Sequence, residues 1–392
     1  MTRIQSIKPW LLITFILLAL TIIFISGYRE RVRAATRNSL LAFQLNPADE
    51  ERLAQFEQSL EFLRQYYKIP GLSAAIVSNQ RIIWEQGFGF QDLTNRIPAT
   101  PETPYHIASL TKTFASMLLM KCVEQGKLNL DDPILKYTTS ITQPGVTVRH
   151  VFTHTSESVP PGEAYRYNGN RYAALTPVVD ACAGKTFREV LAKTILDRLE
   201  MWETVPGRDL AYPSSALVAM FTPETLARYA RVLQRVAMPY KLDSRGQIIA
   251  SAYPESGISA SSGLISTVRD LARYDAAIDR HLLLEPQTQE RAWTNHTNSR
   301  GQALPYALGW FAQRYFGERL IWHYGSWPDA FSALILKVPG RSVTLILLAN
   351  SGGLSTFPSL GAGDVTGSPF ASLFLQLLQA PDAFPRDSLA AV

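Results

Sequence analysis

Cysteine is scarce in this chain. Two cysteines in 392 residues exclude a disulfide-scaffolded fold, a four-cysteine zinc site and an iron–sulfur cluster. No G-x-S-x-G occurs, so the nucleophile elbow of an α/β-hydrolase is missing. His150 and His154 have the i, i+4 spacing of some zinc helices, but Val151 stands where H-E-x-x-H needs glutamate, and both are expected to be structural. Gly184-Lys185-Thr186 lacks the glycine that a phosphate-binding loop requires five residues earlier, where Val179 stands. There is no internal repeat or low-complexity tract. With 18% charged and 46% hydrophobic residues, the composition is that of a globular chain and not of a disordered one.

Most of the chain also lacks any excess of positive charge. The formal net charge is +5, yet residues 1–37 hold six basic side chains (Arg3, Lys8, Arg29, Arg31, Arg33, Arg37) against Glu30 alone. Residues 38–392 therefore balance, with 32 charges of each sign. A neutral body has no general attraction for phosphate backbones, so no nucleic-acid partner is expected.

Residues 10–28, WLLITFILLALTIIFISGY, carry no charge. As a helix they span about 28 Å, close to the ~30 Å hydrocarbon core of a bilayer, with Trp10 and Tyr28 at the two interfaces. The run exceeds a signal-peptide core, and Val32-Arg33-Ala34 is a poor cleavage site, so an uncleaved anchor is favoured. The expected organisation is a membrane anchor over 1–28, a basic and polar linker over 29–48, and one domain over 49–392. More basic residues follow the span than precede it. Taken literally, that places the body in the cytoplasm, although a long domain can translocate regardless of flanking charge.

In the body, Leu53, Phe56, Leu60 and Leu63 recur at helical spacing over 49–67. Residues 72–78 and 81–90 read as two strands joined by Asn79-Gln80. A helix is expected from about 110 to 125. Others are expected over 187–199, 224–237, 266–279 and 368–379. Four successive strands are expected between 307 and 350. Strands from both ends with helices between them predict an α+β fold: an antiparallel sheet flanked by helices, with an all-helical insertion.

Ser109 and Lys112 form an S-x-x-K pair at the start of the helix after Tyr105-His106. Residues i and i+3 share a helical face, so the amine can reach the hydroxyl and help remove its proton. By itself such a pair is also compatible with a helix cap and a solvated lysine.

Several further segments occur in a telling order. Lys112–Met120 and Gly126–Pro133 follow the serine, then Val148–Ser156, Pro161–Tyr172, Ser262–Tyr274, Tyr306–Trp310 and His323-Tyr324-Gly325. Over residues 65–350 the chain resembles the serine β-lactamase and penicillin-binding-protein superfamily, and within it the class C β-lactamase-related branch of DD-peptidases and esterases. The resemblance implies a β-lactamase/transpeptidase-like fold. It implies a nucleophilic Ser109, with Lys112 and Tyr167 moving its proton. Tyr167 is the favoured base if cationic neighbours lower its pKa, and Tyr165 is the competing tyrosine. His323 is expected to orient a substrate carboxylate or to support Tyr167. Asn168, Gly325 and Ser326 are expected at the substrate, with the backbone N–H groups of Ser109 and Ser326 forming an oxyanion hole. No metal or cofactor is implied.

Three places depart from the family pattern. The tyrosine motif is Tyr167-Asn168-Gly169 in place of Tyr-Ser-Asn. Glu157 replaces a glycine after His154-Thr155-Ser156. Ser326–Ala330 replaces a glycine-rich loop, which brings in Trp327. Two functions are compatible with this sequence. One is a membrane-anchored serine hydrolase acting on a β-lactam, a D-Ala-D-Ala peptide or an ester. The other is a catalytically silent, membrane-tethered binding or scaffold protein. The family works mostly outside the cytoplasm, so a single-pass protein with its domain on the extracytoplasmic (periplasmic) side is expected. Its partners would be the bilayer, through residues 10–28, and a small-molecule or peptide substrate. Oligomeric state is left open. Cys122 and Cys182 are expected as buried free thiols.

Overall fold

The structure is a computed structural model that describes residues 46–254, 257–379 and 384. The expected anchor and nearly all of the expected linker lie outside the described residues. Among the described residues no helix is long and apolar enough to cross a membrane. The chain divides into two units, residues 1–50 and 51–392. Of the first, the described residues 46–50 begin a helix, and the second is described from here on.

Helix α1 (Pro47–Tyr66) leads into strands β1 (Gly71–Ser78) and β2 (Arg81–Asp92), which are antiparallel. Their two-residue connection places Asn79 and Gln80 at φ +49° and +67°, the left-handed backbone that a tight hairpin demands. Short strands β3 (Ile97–Pro98) and β4 (Tyr105–His106) follow. The chain then leaves the main sheet. It returns after residue 300 as β9 (Phe311–Tyr315), β10 (Glu318–Trp327), β11 (Phe331–Val338) and β12 (Val343–Ala349). The seven-stranded antiparallel sheet has the order β3-β2-β1-β12-β11-β10-β9, so both ends of the domain meet at β1 and β12.

Every residue of β1, β11 and β12 is buried, which accounts for their nearly unbroken apolar runs: both faces of the sheet are covered. The alternation along β2 identifies the two covers. The Trp84 ring meets Phe56 of α1 edge-on at 5.3 Å between centroids. The next residue, Glu85, points to the opposite face and pairs with Arg269 of a helix over Val268–Asp279. That helix is pinned to the sheet from within, because buried Lys337 of β11 reaches both Asp275 and Asp279.

The insertion is not all-helical. Strands β4 and β5 (Val205–Pro206) flank β8 (Leu264–Ser266) in a three-stranded sheet of order β4-β8-β5. Strands β6 (Tyr240–Leu242) and β7 (Ile248–Ala250) form a separate hairpin. Two or three residues are too few to show a period of two.

The helix that follows Ser109, α2 (Thr111–Glu124), is buried along most of its length. Its apolar residues face all round, as in a helix enclosed on every side. Phe114 stacks on Tyr274 at 3.9 Å, and the Ser116 hydroxyl donates to the Leu308 carbonyl at 2.6 Å. Cys122 of α2 is joined to Cys182 of helix α3 (Thr176–Ala183) in a disulfide spanning 60 residues. This corrects the expectation of free thiols. Two isolated cysteines carry no spacing signal, and only the packing of two helices distant in sequence brings them together.

Closing a loop of that length stabilises the fold by at most about 4 kcal/mol through the unfolded chain. Denatured, unreduced protein should therefore titrate with no free thiol, and reduction should lower the melting temperature. Two reactive thiols in the unreduced protein would contradict the pairing.

Candidate active site

Ser109 sits in a 3-10 turn, Ala108–Leu110, directly ahead of α2. Strand β4 delivers it: the Ile107 N–H donates to the Leu264 carbonyl of β8 at 3.0 Å, and the Thr111 hydroxyl donates to the Ala108 carbonyl at 2.7 Å. Ala108 has φ +48°, a left-handed conformation that costs an L-residue about 1 kcal/mol or more. Its N–H is held by His106 Nδ1 at 3.0 Å, so the turn is strained and fixed immediately before Ser109.

Lys112 lies one turn below and is fully buried. Its Nζ is 2.9 Å from Ser109 Oγ, 3.0 Å from the Ser261 carbonyl and 3.1 Å from Ser261 Oγ. None of these partners is a carboxylate. Burial alone pulls the ammonium down to about 7, so the amine is partly neutral near neutral pH. The rings of Tyr167 and Tyr172 each stand 5.1 Å from Nζ, with their faces toward it.

Tyr167 is brought to the same point. Burial pushes its phenol pKa up, Tyr324 adds to the rise, and the Ser109 hydroxyl pulls in the opposite direction without completing a hydrogen bond of ordinary length and angle. The condition under which Tyr167 is the favoured base is therefore not met. Tyr165 turns away and donates to the Gly361 carbonyl at 3.0 Å.

His323 is fully buried behind these groups, and both of its nitrogens are used. A carbonyl only accepts, so Nδ1–H donates to the Tyr324 carbonyl at 2.7 Å. Nε2 then accepts from the Tyr306 hydroxyl at 2.9 Å. Burial, reinforced by the charge of Lys112, holds the imidazole down at about 3, which keeps it neutral. His323 thus stands as a supporting group in the wall, without an exposed face for a substrate carboxylate.

Asn168 spends its amide inside the chain. Its Oδ1 caps the Gly169–Tyr172 helix by accepting from the Arg171 N–H at 2.9 Å, and its Nδ2 donates to Glu157 at 3.1 Å. Two departures from the family pattern, at 157 and 168, are therefore partners. Gly325 has a packing reason. A Cβ there would lie 2.2 Å from the Ile107 carbonyl oxygen, so only glycine lets β10 press against the turn that carries Ser109. Ser326 follows on β10, its hydroxyl 3.0 Å from that of Ser355. Trp327 closes the strand with its ring edge-on to His106 at 5.5 Å.

His154, spaced like a metal ligand, instead holds the tyrosine loop. Its Nδ1 accepts from the Asn168 N–H at 3.2 Å, its carbonyl accepts from the Arg166 N–H at 2.8 Å, and its ring lies 4.4 Å from that of Tyr167. His150 caps a short helix by accepting from the Thr147 N–H at 3.2 Å. Among the described residues no group of three or more His, Cys, Asp or Glu is arranged to hold a metal ion. Ser261 and His106 were not singled out in the sequence, and Tyr306 stood there only as the start of a family-like segment; the contacts through which all three act are made in three dimensions.

The beta-lactamase family model matches residues 56–362, and the chain belongs to that family, among its class C-like serine hydrolases and penicillin-binding-protein relatives. It is 23% identical over 339 residues to Protein flp of Staphylococcus aureus, covering 76% of this chain and 62% of that one. It is 22% identical over 313 residues to penicillin-binding protein 4* of Bacillus subtilis, covering 69% and 65%. The chain thus spans a little under two thirds of the length of these relatives. The octameric penicillin-binding protein homologue from Pyrococcus abyssi superposes with a TM-score of 0.66 at 26% identity, over 83% of this chain and 77% of that one. The penicillin-binding protein from Bacillus halodurans superposes with a TM-score of 0.60 at 22% identity, over 75% and 96%.

The Tyr306 hydroxyl is the donor that satisfies buried His323. Tyr306→Phe leaves that nitrogen unpaired and should destabilise the domain by about 1–3 kcal/mol in urea unfolding. An unchanged midpoint would show that the pair does not support the site.

Proposed function

We propose that this protein is a serine hydrolase that forms an acyl-enzyme at Ser109, on a β-lactam, a D-Ala-D-Ala peptide or an ester. The observation that carries the proposal is the 2.9 Å contact between Ser109 Oγ and a fully buried Lys112 Nζ whose other partners are uncharged. A lysine whose pKa burial brings down to about 7 is matched to removing a hydroxyl proton near neutral pH. Ser109 Oγ attacks the carbonyl carbon as its proton passes to Lys112 Nζ. The resulting oxyanion is met by the backbone N–H groups of Ser109 and Ser326, each such donor being worth about 3–4 kcal/mol in the transition state. The proton then returns, through the Tyr167 hydroxyl, to the leaving nitrogen or oxygen as its bond to carbon breaks. Water releases the acyl group by the same steps in reverse order of roles. His323 and Tyr306 act by holding the wall. The pairing of Glu157 with Asn168 supports an intact site over a silent one, because these departures satisfy each other and leave Ser109 and Lys112 in contact.

The protein is further proposed to be anchored by residues 10–28, with its domain outside the cytoplasm. The charge-free run supports the anchor. The Cys122–Cys182 disulfide supports the compartment, since such bonds persist where the surroundings are oxidising. An alkaline phosphatase fused to the C-terminus should be active in cells; a fluorescent cytoplasmic reporter active in its place would contradict this topology.

A fluorescent penicillin or fluorophosphonate should label the protein covalently, and Ser109→Ala should abolish the label. Labelling that survives Ser109→Ala would refute the assignment of the nucleophile. Turnover of a chromogenic cephalosporin, a D-Ala-D-Ala peptide and a short-chain p-nitrophenyl ester should then rank the three acyl donors.

A further inference from the structure

Gly169 leaves the tyrosine motif without a side chain next to Lys112. A Cβ at 169 would lie 3.8 Å from Lys112 Nζ and 3.5 Å from Ser261 Oγ, so a side chain there would grow against the amine. Ser261, on a loop 149 residues beyond the lysine in sequence, fills that place. Its hydroxyl donates to the Gly169 carbonyl at 2.7 Å. With its only proton so committed, Ser261 Oγ can only accept from Lys112, and so can its carbonyl oxygen.

Two of the amine's directions are thereby taken, and the third points at Ser109. When the amine is neutral, its two N–H groups rest on Ser261 and its lone pair faces the serine hydroxyl. That is the orientation a base requires. The loop itself is held at both ends. The Ala260 N–H donates to Thr176 Oγ1 of α3 at 2.9 Å, and the Leu264 N–H donates to Thr111 Oγ1 of α2 at 3.2 Å. These two helices are the ones that the disulfide joins.

We infer that Ser261 is a positioning residue for the reaction, aiming the Lys112 amine at Ser109 from the place that Gly169 vacates. This rests on the reading of Ser109 and Lys112 as nucleophile and base. The other groups around Nζ are Tyr167 and Tyr172, with raised pKa values, and His154 and His323, with lowered ones. All four are neutral near pH 7, so the contacts to Ser261 stand out as the adjustable influence on the amine. Removing Oγ takes away an acceptor that favours the charged ammonium, so the lysine should lose its proton at lower pH while aiming less well.

The test is the pH dependence of Ser109 labelling by a fluorophosphonate in the full chain and in two variants. Ser261→Ala should lower the plateau rate at least tenfold and move the acid limb down by half a pH unit or more. Ser261→Thr, which keeps the hydroxyl, should leave both near the parent values, with melting temperatures recorded for all three. A Ser261→Ala protein with unchanged plateau and limb, or with a lower plateau and an unmoved limb, would overturn the proposal. So would a Thr variant whose limb moves as far as that of Ala. If the parent chain is not labelled at all, it is the acyl-enzyme reading that fails. A 13C NMR titration of Lys112 then decides the positioning separately: a lower midpoint in Ser261→Ala upholds it, and equal midpoints overturn it.

Discussion

The burial of Lys112 is the constraint on which the rest of the site depends. An ammonium enclosed by aromatic rings and uncharged oxygens gives up its proton far more readily than one in water. That property is useful only if the hydroxyl to be activated lies within reach and stays there. The strained Ala108, the His106 contact that holds its N–H, and the glycine at 325 all serve that end. Together they press a 3-10 turn between β10 and the rest of the domain, and the serine emerges one helical turn from the amine.

The site also shows how departures from a family pattern can compensate within one chain. Glu157 and Asn168 each replace a smaller family residue, and they bond to each other. Gly169 removes a side chain, and the Ser261 hydroxyl occupies the adjoining space. The consequence is a tyrosine loop held from behind by His154 and capped by its own asparagine. None of these exchanges breaks the contact between Ser109 and Lys112.

What was legible in the sequence follows from the range of the interactions concerned. Ser109 and Lys112 are three residues apart, and the helix alone brings them together, so spacing sufficed. The long strands and α1 were legible because their apolar patterns run for seven residues or more. Order along the chain indicated Tyr167 and His323. Their surroundings were not indicated: an imidazole with both nitrogens spent and a phenol with a raised pKa are properties of enclosure, and enclosure is assembled from distant segments. Ser261 and the Cys122–Cys182 bond were missed for the same reason, since neither pairing leaves a local trace. The insertion's short strands were missed because two residues cannot display alternation.

The claim that Lys112 works as a neutral amine near pH 7 is tested most directly by the rate at which the parent protein acylates Ser109 across pH. The site of the adduct should be confirmed by peptide mapping. The rate should rise from acid pH with a midpoint near 7 and reach a plateau above it, as a buried lysine loses its proton. A rate that is flat from pH 5 to pH 9, or one whose midpoint lies near the ordinary lysine value of about 10.4, would contradict it.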